Sequence, residues 1–246
     1  MANTLVQNPA AVIYSGSTTV EVTFGSACTP GSWLTGCITQ EHGATGSWVS
    51  CTDSGNGSWG APKVSVLNGQ DSGVGCGGAA IYAVPNASSA AVTITATIGV
   101  SSYGVLQAQE WSGPGATGAI GSNFATTSSP HTVDITTQSD ASLVISCGTH
   151  YPSGAAVDTG YTANIAESPG SWSYRFGEYN NDVGAAGLKT LTYGLGNVIL
   201  WSMCAVEFLP PPPKPPTYNV SRPWLNDIIN QPGIGAHEAL NVGAWV

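Results

Sequence analysis

The chain has 246 residues, of which 42% are hydrophobic and only 8% charged, and fourteen acidic against five basic side chains give a net charge of -9. An ordinary soluble domain is roughly 25% charged, and a protein that tracks phosphates needs clustered positive charge, so the composition argues against a nucleic-acid partner. With 32 Gly, 16 Pro and two Met, it favours strands and turns over helices and predicts an all-β fold.

The opening MANTLVQNPAAVIYSGSTTV has no Lys or Arg and breaks its apolar run at Asn8 and Pro9, which predicts no secretory leader. Runs rich in β-branched and aromatic residues then recur, separated by Gly, Ser, Asn and Pro: 11–15, 18–24, 32–40, 61–67, 78–84, 90–98, 103–111, 131–137, 141–147, 160–167, 171–179, 188–194 and 197–208. In the second run Val20, Val22 and Phe24 alternate with Thr19, Glu21 and Thr23, so one face is wet. The runs SLVIS and VILW lack that alternation and are expected between layers, covered on both faces. Many short strands with half-buried faces predict two packed antiparallel sheets, a jelly-roll-like β-sandwich over 1–209. The order of the runs also allows the chain to be read as two similar halves. No stretch reaches the roughly 18 consecutive apolar residues of a spanning helix, so no membrane insertion is expected.

At Pro210 the character changes. LPPPPKPPTYNV is a polyproline segment with fixed φ and few donors, predicting an extended linker that opens a C-terminal arm over 210–246. The arm is too short and irregular to build a core, yet a solubilising tail would not carry its apolar residues. Pro211, Pro212, Tyr218, Trp224, Leu225, Ile228, Ile229, Ile234, Leu240 and Trp245 are therefore read as partner-anchoring residues. Residues 1–209 hold three basic and twelve acidic side chains and the arm two of each, so all net charge sits on the body.

No motif carries catalysis. A nucleophile elbow would need α/β alternation, and the histidines His42, His131, His150 and His237 have no metal-ligand spacing, so surface or turn roles are expected. Cys147 and Cys204 sit in apolar strands as buried thiols, while Cys28, Cys37, Cys51 and Cys76 lie among Gly and Ser, where a bridge such as Cys28 with Cys37 would need an oxidising compartment. Asp53-Ser54-Gly55-Asn56-Gly57 lacks the further ligands of a calcium loop and reads as a structural turn. Neither a metal nor a cofactor is expected. Trp48, Trp59, Trp172 and Tyr174 lie in polar surroundings where a flat ring can stack on a sugar, so they are candidate glycan-binding residues, against the alternative that they fill space between sheets.

The order CTDSGNGSW (Cys51 to Trp59), GGAAIYAVPNASSAAVTITATI, VLQAQEWSG (Val105 to Gly113), SDASLVISCGTH and a last apolar strand ending at Phe208 resembles β-sandwich domains of tailed-phage virion accessory proteins and related bacterial surface proteins. The resemblance covers roughly 10–209. It implies a displayed structural or adhesive module rather than an enzyme, with other virion proteins as partners, whether the major capsid protein or neighbouring copies in a homo-oligomer. Capsid decoration or head-fibre protein is the leading expectation, made in the host cytoplasm and displayed on the virion. A carbohydrate-binding or adhesin module that meets a host surface glycan, on a phage tail or a cell surface, is the alternative.

Overall fold

A computed structural model describes residues 3–41, 48–67, 77–90, 92–125, 131–151, 160–167, 174–193 and 200–213. Among them there is no helix. Fifteen strands follow in order: β1 (Thr4–Gln7), β2 (Val12–Thr23), β3 (Trp33–Gln40), β4 (Trp48–Asp53), β5 (Gly57–Ser58), β6 (Val64–Leu67), β7 (Gly78–Pro85), β8 (Thr93–Ser112), β9 (Ala116–Ala125), β10 (His131–Thr137), β11 (Leu143–Tyr151), β12 (Thr162–Glu167), β13 (Tyr174–Asn180), β14 (Gly187–Tyr193) and β15 (Leu200–Leu209). Every pairing is antiparallel. The chain divides into two units at Pro212/Pro213, and the first carries every described strand.

The first sheet is built around β8. Its first half pairs with β4 and the end of β2, and its second half pairs with β3, the start of β2 and β1. Register shifts at Ser15–Thr19 and the positive φ of Gly16 (63°) let the sheet curl over on itself. Val22, Phe24, Ile94 and Ile98 thereby meet Leu34, Ile38, Tyr82 and Leu106 in a first core. The second sheet runs β12-β13-β11-β15-β9. Its inner face (Ile145, Cys147, Cys204, Val206, Phe208) closes a second core with Trp33, Cys37, Ile81, Val105 and Trp111 of the first sheet. Its outer face is covered by the two-stranded sheet β10-β14, enclosing Val133, Ile135, Phe176, Leu191, Trp201 and Met203 in a third core. Three cores form because β3, β11 and β15 are buried on both faces, each lying in a sheet covered on both sides.

The two halves repeat one topology. β3 lies between β7 and the second half of β8, as β11 lies between β13 and β15. The end of β2 pairs with the start of β8 as β10 pairs with β14, and β6 flanks β7 as β12 flanks β13. Details repeat too. The turns entering β3 and β11 put Gly31 and Ala141 at positive φ (85° and 56°), and each donates to an equivalent loop, Gly31 N–H to Asn86 O and Ala141 N–H to Gly184 O. On the outer faces Thr95 donates to Glu21 at 3.0 Å and Thr190 to Asp134 at 2.6 Å.

The halves pack with like ends together: Trp33 meets Phe208 edge-on at 5.6 Å, and Asn3 Nδ2 donates to Ala141 O at 3.2 Å. One pole therefore gathers the turns before β3 and β11, strand β1, and the exit of β15, where Gly115 N–H donates to Leu209 O at 2.9 Å. The other pole gathers the ends Gln40, His150 and Tyr193 and the starts His131, Tyr174 and Leu200.

Candidate functional site

The pole that holds Leu209 is knitted by buried carboxylates. Glu110 and Glu207, one in each half, are both fully buried. Glu110 accepts from Thr29 N–H and Gln7 Nε2, each at 2.6 Å. Glu207 accepts from Ser142 Oγ at 2.6 Å and from the N–H groups of Ala119 and Gln138 at 2.9 Å. Each carboxylate satisfies donors that the strand ladders leave over, in turns and, for Ala119, at the register shift between β9 and β15, which a buried backbone demands.

The DSGNGSW segment is a third such device. Asp53 Oδ1 accepts from the N–H groups of Gly55, at 2.6 Å, and Asn56, while Oδ2 accepts from Asn56 Nδ2 at 2.9 Å and Trp59 Nε1 at 2.6 Å. Asn56 Nδ2 also reaches Asn86 Oδ1 at 3.0 Å, and Asn86 Nδ2 donates to Thr29 O at 3.0 Å, which links this turn to the one held by Glu110. Asp53 faces N–H donors, so the loop is a capped turn. Trp59, read from sequence as a sugar platform, is 5% exposed, with its ring against Gly36 in the first core and its N–H on Asp53. That reading is corrected, because a ring so nearly buried offers no face for stacking.

The opposite pole holds polar and aromatic side chains in the third core. His131 and His150 are fully buried, against the expectation of surface or turn roles, because the faces of β10 and β11 turn them inward beneath Trp201 and Phe176. His131 lies 4.9 Å from Trp201 and 5.5 Å from His150, ring centre to ring centre, and His150 lies 5.8 Å from Phe176, which stacks on Tyr193 at 3.8 Å. Below them Ser146 Oγ donates to Glu178 Oε1 at 3.2 Å. Burial holds the His131 imidazole down at about 4, so it is neutral at pH 7, and burial with the neighbouring Glu178 pushes the Tyr193 phenol well up. Among the described residues neither nitrogen of His131 nor Trp201 Nε1 finds a hydrogen-bond partner. Sequence reading missed this cluster, since lone histidines at strand ends carry no spacing signal.

Trp48 and Tyr174 begin β4 and β13, with Ile98 and His150 as backbone partners, and their side chains lie outside the described ones. Trp172 lies outside the described residues, as do Tyr218, Trp224, Leu225, Ile228, Ile229, Ile234, Leu240 and Trp245. Pro211 is half-buried and Pro212 exposed, and a Cβ on Gly115 would stand 3.0 Å from Pro211, so the first prolines run along the turn before β9. Cys28 and Cys37 are both free thiols, Cys28 in the first core and Cys37 in the second, so the bridge that an oxidising compartment would have allowed does not join them here. The chain matches no protein-family model, no curated protein and no solved structure.

Proposed function

We propose that the chain is a non-enzymatic virion structural protein, a capsid decoration or head-fibre protein. Its jelly-roll-like β-sandwich body faces solvent, and the arm over 210–246 anchors it on the major capsid protein or on neighbouring copies. The observation that carries this reading is the arm's composition, two Trp with Ile228, Ile229, Ile234 and Leu240 in a segment too short for its own core. Burying each such side chain on a partner contributes about 1.5–3 kcal/mol, offset by the entropy of ordering the arm. The exit at Leu209 supports it, because the chain leaves the body at the pole opposite the strand ends Gln40 and His150. A chain ending at Pro213 keeps every described strand and should stay folded and monomeric, whereas the full chain should self-assemble or co-sediment with phage particles. Equal assembly and attachment by both chains would refute the anchor.

The second reading, a carbohydrate-binding adhesin, is favoured by the strand starts of Trp48 and Tyr174, at the pole away from the tether. On a glycan array, binding lost in Trp48→Ala or Trp172→Ala and kept in Trp59→Phe supports it.

A further inference from the structure

Three of the cysteines converge where the two halves meet. Cys147 on β11 and Cys204 on β15 are direct cross-strand partners, and their sulfurs lie 3.9 Å apart. Cys37, at the matching place in β3 of the facing sheet, lies in the same buried cluster. All three are at most 1% exposed, among Ala79, Ile81, Ile145 and Val206.

We propose that Cys147 and Cys204 are a disulfide-forming pair whose state is fixed while the chain folds, with Cys37 remaining a thiol beside them. Cross-strand neighbours in an antiparallel pair have Cα atoms about 4.5–5.5 Å apart, inside the roughly 4.4–6.8 Å that a disulfide accepts. Side-chain rotation alone brings the two sulfurs from contact to bonding distance. Cys37 sits on the opposing sheet, about 10 Å away as packed sheets are spaced, beyond the ~7 Å limit for bridging without backbone movement.

The oxidant is a small-molecule disulfide of the glutathione class. One cysteine thiolate attacks it and releases one thiol, and the second cysteine thiolate then attacks the mixed disulfide and releases the other. Two cysteine S–H bonds are lost, one S–S bond forms, and the oxidant leaves as two thiols that carry the two protons. In the folded molecule this exchange is closed off, because no oxidant reaches the sulfurs and burial pushes the Cys147 thiol well up, leaving little thiolate. The pair therefore closes before the two sheets do. Once formed, the bond is equally shielded from reductant, so the folded protein records the redox poise of the compartment in which it folded.

The test is refolding from denaturant under reduced or oxidised glutathione, followed by alkylation and intact and peptide mass spectrometry. After alkylation in denaturant the oxidised refold should lack two alkyl groups that the reduced refold carries, and a peptide joining Cys147 to Cys204 should appear, from a bond that reductant opens in the intact protein only in denaturant. The reduced refold should keep both thiols when oxidised glutathione is added to the native protein. Cys37→Ser should still form the Cys147–Cys204 link. Absence of that link, a bond between other cysteines in its place, or native exchange as fast as in denaturant would each overturn the proposal.

Discussion

Glu207 receives three donors within 2.9 Å in a site without water access, and Glu110 receives two at 2.6 Å. Hydrogen bonds to a charged group are worth about 1.5–3 kcal/mol each, and removing the acceptor strands its donors in the interior. Glu207→Ala should therefore cost at least ~3 kcal/mol, and Glu110→Ala somewhat less, read as a fall in the urea midpoint at unchanged slope. An equal, small effect of both would mean that the turns close without them. These carboxylates were half legible: "QEWS" and "VEFL" place an acid in a strand too apolar to be a surface strand, but their donors come from residues 65 to 103 positions away. Trp59 misled for the same reason. Its polar neighbours describe a loop, and only the fold reveals that Asp53 draws its N–H inward.

Among the elements, the two-stranded sheet β10-β14 is the thinnest layer, held by its inner face over the third core. Facing His131 there are His150 from β11, Tyr193 from β14, and Glu178 from β13 below Phe176. An unfolded imidazole takes up its proton near pH 6.5, whereas the folded one resists to about 4. Between those values the unfolded chain binds more protons, so stability falls as pH falls, by roughly 2–3 kcal/mol over the window. Hydrogen exchange in β10 and β14, corrected for intrinsic rates, should accelerate on going from pH 7 to 4.5, and His131→Phe should flatten that response. Strand identity was largely written in the runs, and the doubly covered β11 and β15 follow from their lack of alternation. Two joins were not: β2 and β8 each absorb two runs, because Gly16 and Gly99–Ser102 bend strands without ending them. β9, with two Gly and no alternating apolar row, offered no signal of its own.

For the whole molecule, the second core joins the two halves, so neither half is complete alone. Residues 3–112 produced separately would expose Trp33, Cys37, Ile81, Val105 and Trp111 as one apolar face. That fragment should aggregate or bind a hydrophobic dye, and mixing it with 113–213 should restore solubility. A stable, dye-free fragment would mean that the halves are independent domains.

The pole where β1 begins beside the exit of β15 carries a practical consequence. A peptide or small domain spliced between Glu41 and Trp48 departs from the far side of the body, some eight residues of strand from Leu209. Cargo grafted there would be held out like a lantern on a bracket, well clear of the turns that Glu110 and Glu207 close.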